Sequence, residues 1–349
     1  MIHFFPTFSA SADSTPLGEE LRRIGTPYRI FASQIRLEFR RRIFILLLGY
    51  PKLAWFALRS AWRSMVLSRP RPDAVVLGSD VEVLVFALLR SLLPWRGPCI
   101  ALLGFIYTAW TSPLINRLRA LYYRFVLARC DCIICHSRLE ITRYRRLFPR
   151  SAARFVFVRW GGNVHGHDQP APPDPEPHRF RVLAAGRSGR DYPTLVQAIR
   201  GTHLDVTIIC DTSEGLGGIT ERQNVRILRS CYGDNYLAEL RRSDVVVLPL
   251  AVDDISVGQM VMIQAMAFGK PLVVTRTPTV EDYITEGVEG FMVARGEPQA
   301  LRETLLRLQN DPDLCSRLGE AGRAAYLARF SQSVVMRATL DAIAGACAS

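Results

Sequence analysis

Arg187 and Arg190 follow a strand-like run, Arg181–Ala185, in a turn that also holds Gly186 and Gly189. A guanidinium in such a turn can bridge two phosphate oxygens through paired, charge-assisted hydrogen bonds. Further along, Ser256-Val257-Gly258-Gln259 is a small-residue loop that opens an apolar helix and leads through Gly269-Lys270-Pro271 into a strand-like run. Such a loop offers backbone N–H groups and the positive end of a helix dipole, where anions bind. The amides of Val257, Gly258 and Gln259 can therefore cradle the same phosphates as the two arginines. The segment also reads as an ordinary buried helix followed by a buried strand, and pattern alone leaves both readings open. Asp253 and Asp254 are adjacent rather than spaced as Asp-x-Asp, so no convincing Mg²⁺ loop is read and no metal is expected.

A second constellation is Cys130-Asp-Cys-Ile-Ile-Cys-His136, which contains the Cys-x-x-Cys-His spacing of haem attachment and of some metal sites. It follows a basic helical pattern and reads as a short buried strand. Alternation sends Cys132 and Cys135 to opposite faces of that strand, so core cysteines are the expected reading. The eight cysteines show no disulfide spacing, and a reducing, cytoplasmic compartment is expected.

The elements that must position these residues alternate along the chain. Ile2–Phe5, Tyr28–Phe31, Asp73–Gly78, Cys99–Leu103, Asp131–Cys135 and Arg154–Val158 read as apolar strands, with helical patterns over Val81–Leu93, Leu114–Leu127 and Arg138–Phe148. His165–His178 holds five prolines in fourteen residues and reads as a stiff linker. The alternation restarts with strands near Arg181–Ala185, Asp205–Cys210, Val225–Leu228, Asp244–Leu248 and Pro271–Thr275. Strands alternating with helices predict parallel sheets covered on both faces. Two Rossmann-like domains are expected: residues 1–165, a linker over 166–179, and residues 180–349.

The wording of the second half resembles the retaining glycosyltransferases of family 4 (group 1), which have the GT-B fold. Gln264-Ala-Met-Ala-Phe-Gly-Lys-Pro271 is similar to the family's Glu-Ala-Met-Ala-x-Gly-Lys-Pro, and Ser256 stands where the family has another Glu. Arg181–Leu195, Ser243–Pro249, Glu281 and Gly287–Val293 resemble further family segments, and Asp311–Leu314, Leu318–Arg323 and Arg329–Ser331 resemble its closing helices, all in the family's order. The resemblance implies an α/β, GT-B architecture in which parallel sheets face across a cleft. It implies a glycosyltransferase that moves a sugar from a nucleotide-sugar donor to a lipid-linked or polysaccharide-precursor acceptor, with retention, without metal and without a cofactor. Arg187 and Arg190 occupy the family's diphosphate-binding positions, and Gln264 would face the ribose hydroxyls, accepting from one and donating to the other. Ser256 and Asp254 are the catalytic candidates: Ser256 replaces the carboxylate that contacts the donor sugar, and Asp254, two residues earlier, could supply it. The family's histidine after the fourth strand of the first domain is missing from Leu102–Tyr107. Two alternatives are a non-catalytic nucleotide-sugar-binding protein and a nucleotide-sugar epimerase.

Charge is uneven. Residues 1–165 hold 25 Lys+Arg and 9 Asp+Glu, a net of +16, whereas the remainder holds 19 and 23, a net of −4. The segment 36–71 concentrates this excess, with Arg36, Arg40, Arg41, Arg42, Lys52 and Arg59 among its cations beside Trp55, Phe56 and Trp62. A basic, Trp-bearing amphipathic helix suits an anionic membrane surface, and the alternative is a core helix whose arginines face water. No apolar run reaches the length of a membrane span, since Ile43–Leu58 is broken by Pro51 and Lys52. Without a leader-like start, the expected location is cytoplasmic, peripheral on the inner face of the membrane. Nucleic acid is not an expected partner, because the arginines outside 36–71 lack interleaved aromatics.

Overall fold

The computed structural model describes residues 1–6, 15–32, 50–93, 97–108, 112–169, 179–221, 224–253 and 255–348. Arg36, Arg40, Arg41, Arg42, Asp254 and the proline run 170–178 lie outside the described residues. The chain forms two compact units: Met1–Val158 together with Val335–Ser349, and Arg159–Val334.

The first unit is built on a six-stranded parallel sheet in the order β2-β1-β3-β4-β5-β6. Its strands are β1 (Ile2–Phe5), β2 (Tyr28–Ile30), β3 (Ala74–Leu77), β4 (Cys99–Leu102), β5 (Cys132–Cys135) and β6 (Phe155–Phe157). Each matches its expected strand to within a residue or two. The connecting helices are α1 (Pro16–Arg23), α2 (Tyr50–Trp62), α3 (Asp80–Leu92), α4 (Pro113–Leu127) and α5 (Arg138–Leu147). Local signals start them: Ser79 caps α3 in a reciprocal box with Glu82, and Ser112 and Ser137 cap α4 and α5. Side chains alternate across the sheet. Val75, Leu77 and Cys135 pack with Ala61, Phe86 and Val126 of α2 to α4, whereas Phe4, Val76 and Cys132 pack with Leu17 and Leu21 of α1. Cys132 and Cys135 thus enter opposite apolar layers, as alternation requires, and burial raises both thiols, Cys132 to about 11.

Three findings correct the expected organisation. The last helix, α11 (Gln332–Ala348), belongs largely to the first unit, where Val335, Leu340 and Ile343 cover the face occupied by Phe4 and Val76. The boundary lies at Val158/Arg159, before residue 165, because the next residues are tied to the second unit. There Arg159 Nε donates to Asp282 O at 3.0 Å and the Trp160 amide to Tyr283 Oη at 2.9 Å. Finally, Cys99 of β4 and Cys347 of α11 form a disulfide with their Cα atoms 5.6 Å apart. Their separation of 248 residues leaves no spacing signal, and the pair departs from the expectation of reduced cysteines.

The second unit has a six-stranded parallel sheet in the order β12-β11-β10-β7-β8-β9. Its strands are β7 (Arg181–Ala185), β8 (Asp205–Ile209), β9 (Val225–Leu228), β10 (Val245–Leu248), β11 (Leu272–Thr275) and β12 (Gly290–Val293). The edge strand β12, outside the expected set, is held by Glu289, which accepts from the Thr285 amide at 2.7 Å and pairs with Arg329. The helices used below are α6 (Tyr192–Ala198), α7 (Gly233–Arg242), α8 (Gln259–Ala267), α9 (Pro298–Asn310) and α10 (Pro312–Ala325). The end of α8 meets α10 backbone to backbone, since a Cβ on Gly319 would lie 2.1 Å from Gly269 O. Lys270 caps α7 by donating to Arg241 O at 2.7 Å. Among the described residues no helix is long and apolar enough to cross a membrane.

His3, fully buried in β1, contacts Ser64 Oγ through Nδ1 at 2.7 Å. Burial, followed by the nearby Arg29 cation, lowers its pKa to about 4. The folded state keeps this imidazole neutral, while the unfolded chain takes up a proton below about 6.5. Stability contributed by His3 is therefore complete above that value and lost as pH falls towards 4. Denaturation midpoints measured across this window should drop with pH in the wild type and drop less in His3→Gln; parallel slopes would assign the acid sensitivity elsewhere.

Candidate functional site

In the second sheet β7 and β10 are neighbours, yet the chain leaves β7 towards β8 on one side and leaves β10 towards β11 on the other. This is a topological switch point, where crossovers diverge and a crevice opens at the carboxyl ends of the strands. The two loops that leave it are stitched together. Asp191 N donates to Pro249 O at 2.9 Å, Ala251 N donates to Gly189 O at 3.0 Å, and Arg190 and Leu250 form an isolated bridge. A pocket of about 670 Å³ lies here, entirely within the second unit, which is an ordinary size for a small-ligand site.

Most of the expected residues meet in this pocket. Arg187, Arg190, Ser256, Val257, Gly258 and Gln264 all line it. Gly258 is the N-cap of α8 at φ 88°, with no side chain capping the helix, and a Cβ there would lie 2.6 Å from Leu248 Cδ2. Only glycine suits this left-handed, crowded position, so the helix end stays bare and its first N–H groups remain available to an anion. Helix α8 is buried on nearly all sides, but Met260 is exposed and Gln264, one turn on, is only partly buried; both face the pocket. The Gln259 side chain is buried and does not line the pocket, so its contribution is confined to its backbone amide.

The two arginines differ. Arg187 is exposed at the pocket, whereas Arg190 folds back onto its own turn. Its Nε donates to Ala185 O at 2.9 Å and its Nη1 to Ser188 O at 2.7 Å, and burial lowers its pKa. Arg190 therefore holds the turn after β7 and turns only its remaining donors to the pocket.

Among the lining residues that went unread in the sequence are Asp211 after β8, and Cys231, Tyr232 and Tyr236 after β9. Asp211 accepts from the Ser230 amide at 2.6 Å and from the Tyr232 hydroxyl, and these bonds hold its carboxyl below the usual range. The Tyr236 hydroxyl is buried and has no hydrogen-bond partner among the described residues, and burial raises its pKa. A buried hydroxyl without a partner costs about 1–3 kcal/mol, which a polar ligand would relieve. No sequence signal marks it, because Tyr236 sits in α7 on an ordinary amphipathic pattern. Of the other motif residues, Glu281 pairs with Arg276 at 3.4 Å and Asp253 pairs with Arg295 at 3.4 Å.

Residues 221–325 match the family described as glycosyl transferases, group 1. That match covers just under a third of the chain. It contains β10, the Ser256–Gln259 loop, α8 and Gln264, while Arg187 and Arg190 precede it. The chain is 32% identical over 110 residues to a D-inositol 3-phosphate glycosyltransferase of Streptomyces griseus, an alignment covering 31% of this chain and 22% of that protein. The aligned region spans about a quarter of the length of the curated relatives it matches. Whole-chain similarity appears in solved structures. A glycosyltransferase from Rickettsia africae gives a TM-score of 0.70 at 14% identity, with 99% of this chain and 98% of the other covered. The HepE protein of Anabaena in complex with UDP gives 0.65 at 13% identity, with 99% of each covered. Two six-stranded parallel sheets with flanking helices make the fold GT-B.

If this pocket takes a diphosphate, Arg187→Ala should weaken nucleotide binding by roughly ten- to hundredfold, the loss of about 1.5–3 kcal/mol expected for a charge-assisted bond. Its melting temperature should stay that of the wild type. Arg190→Ala should lower both affinity and melting temperature, because two carbonyls lose their donor. Calorimetric titration with UDP beside a melting curve checks both; unchanged affinity in Arg187→Ala would remove it from the site.

Gln264→Glu should preserve nucleotide binding, and Gln264→Leu should reduce it by leaving a ligand hydroxyl unmatched. Equal affinities for wild type and Gln264→Leu would reduce Gln264 to a packing residue.

Proposed function

We propose that the chain is a glycosyltransferase that moves a sugar from a nucleoside-diphosphate sugar to a lipid-linked or polysaccharide-precursor acceptor. The observation that carries this reading is the switch-point pocket. It joins an exposed arginine, a bare helix N-terminus and a polar glutamine, and the last two lie in the stretch that matches the group 1 family. The complex of HepE with UDP supports a nucleotide as the occupant. In this reading Arg187, the remaining donors of Arg190 and the amides of Val257, Gly258 and Gln259 hold the diphosphate. They stabilise the charge that grows on it as the bond to the sugar breaks, so the reaction is proposed to need no metal. Gln264 and the Tyr236 hydroxyl contribute polar contacts to the nucleotide. Ser256 faces the sugar end, and Asp254 is the proposed carboxylate there. Retention of configuration is the proposed outcome, and the location proposed with a lipid-linked acceptor is the inner face of a membrane.

A second reading, a nucleotide-sugar-binding protein without transfer activity, draws on one observation. Asp211 is the only carboxylate among the described residues lining the pocket, and its oxygens are engaged by Ser230 and Tyr232. Incubation with UDP-, GDP- and ADP-sugars plus a membrane extract should release nucleoside diphosphate from one donor and label the lipid fraction. Asp254→Asn should then reduce turnover while leaving nucleotide affinity intact. Tight donor binding with no release from any of the three would favour the binding protein.

A further inference from the structure

Helix α4 carries Leu114, Leu118, Leu121 and Phe125, spaced by four, three and four residues. Such a stripe ordinarily faces a core. Here it faces outward: Leu114 is 66% exposed, Leu118 and Leu121 are each 59% exposed, and Val126 and Leu127 are buried beneath. Two helices away on the same face of the first sheet, α2 buries Leu53, Ala57 and Ala61 and turns Trp55, Leu58 and Trp62 outward, with Trp55 69% exposed. Between them α3 packs against both and exposes Leu88 and Leu92. The outer layer of this face is thus apolar across three adjacent helices, beyond the scattered apolar residues that a monomer normally shows.

The charges on this layer identify its occupant. The charged residues of α2 and α4 are Lys52, Arg59, Arg117, Arg119 and Arg124, all cations; the two acids of α3, Asp80 and Glu82, lie in its first turn, Glu82 fully buried and Asp80 half-buried. A second copy of the chain would set these cations against themselves. A surface with apolar depth and negative charge matches both features, and a bilayer with anionic headgroups has that chemistry. We propose that α4 and α2 together form a docking platform for an anionic membrane surface, with the leucine stripe of α4 and Trp55 and Trp62 entering the headgroup region. This deepens the membrane location in the function proposed above and adds a helix outside the basic segment 36–71.

Vesicle flotation tests the platform with the full chain. The wild type should float with phosphatidylcholine vesicles containing phosphatidylglycerol and much less with phosphatidylcholine alone. Binding should weaken as salt rises from about 0.1 to 1 M, which shortens the screening length from about 10 to 3 Å. Leu118→Glu combined with Leu121→Glu should lower partitioning by roughly tenfold or more, since two apolar side chains lose their insertion. Melting temperature and affinity for UDP should stay those of the wild type, because both leucines are exposed and lie outside the nucleotide pocket. Arg117→Gln with Arg124→Gln should reduce binding at low salt and leave the high-salt remainder. The platform is overturned if the wild type stays unbound at low salt, if the leucine variant floats equally well, or if that variant loses thermal stability. Light scattering that shows a wild-type dimer dissociated by the leucine substitutions would assign the face to a second copy instead. Flotation without sugar release, or release without flotation, separates this platform from the transfer reaction.

Discussion

Every described strand pairing in the two sheets is parallel, and most of the structure follows from that. Parallel neighbours cannot be joined by tight hairpins, so each pair needs a crossover, and crossovers place helices on both faces. Strands covered on both sides become continuous apolar runs such as Ala74–Leu77, Cys132–Cys135 and Val245–Leu248, each buried throughout. The same constraint gathers the loops at the carboxyl ends. Where the crossovers after β7 and β10 diverge, a crevice opens at the strand ends, and the pocket lies there.

The site is largely backbone held in place by a few side chains. Arg190 clasps the carbonyls of Ala185 and Ser188, the Gly189–Ala251 and Asp191–Pro249 bonds join the two loops, and Gly258 keeps the helix end uncapped. A guanidinium buried to hold a turn stays charged and rigid, so the pocket has a fixed electropositive wall before any ligand arrives. Arg187 adds the adjustable part of that field.

The strands were legible because a buried parallel strand has few ways to be written, and Val, Ile and Leu runs bounded by Gly, Pro and Asp state it directly. The loop that opens α8 was legible for a similar reason, since Gly258 takes a left-handed, crowded backbone position that suits no other residue. What stayed hidden depends on partners distant in sequence. The Leu114–Phe125 stripe has the period of a core-facing helix, and only the surrounding fold shows that it points outward. Tyr236 has no motif, because its hydroxyl matters only through what α7 brings it beside. The pairing of Cys99 with Cys347 and the return of α11 to the first sheet are long-range contacts that no local spacing encodes.

The return of α11 has a consequence for the order in which the molecule is made. The second unit spans the 176 residues from Arg159 to Val334, all emerging from the ribosome before Val335. At about 5–20 residues per second this takes roughly ten to thirty-five seconds. During that interval the first sheet has its strands and its helices from α1 to α5, but the face around Phe4, Val76 and Cys132 lacks Val335, Leu340 and Ile343. The first unit thus starts before the second and is completed after it, with that face of its sheet left to α1 in the meantime.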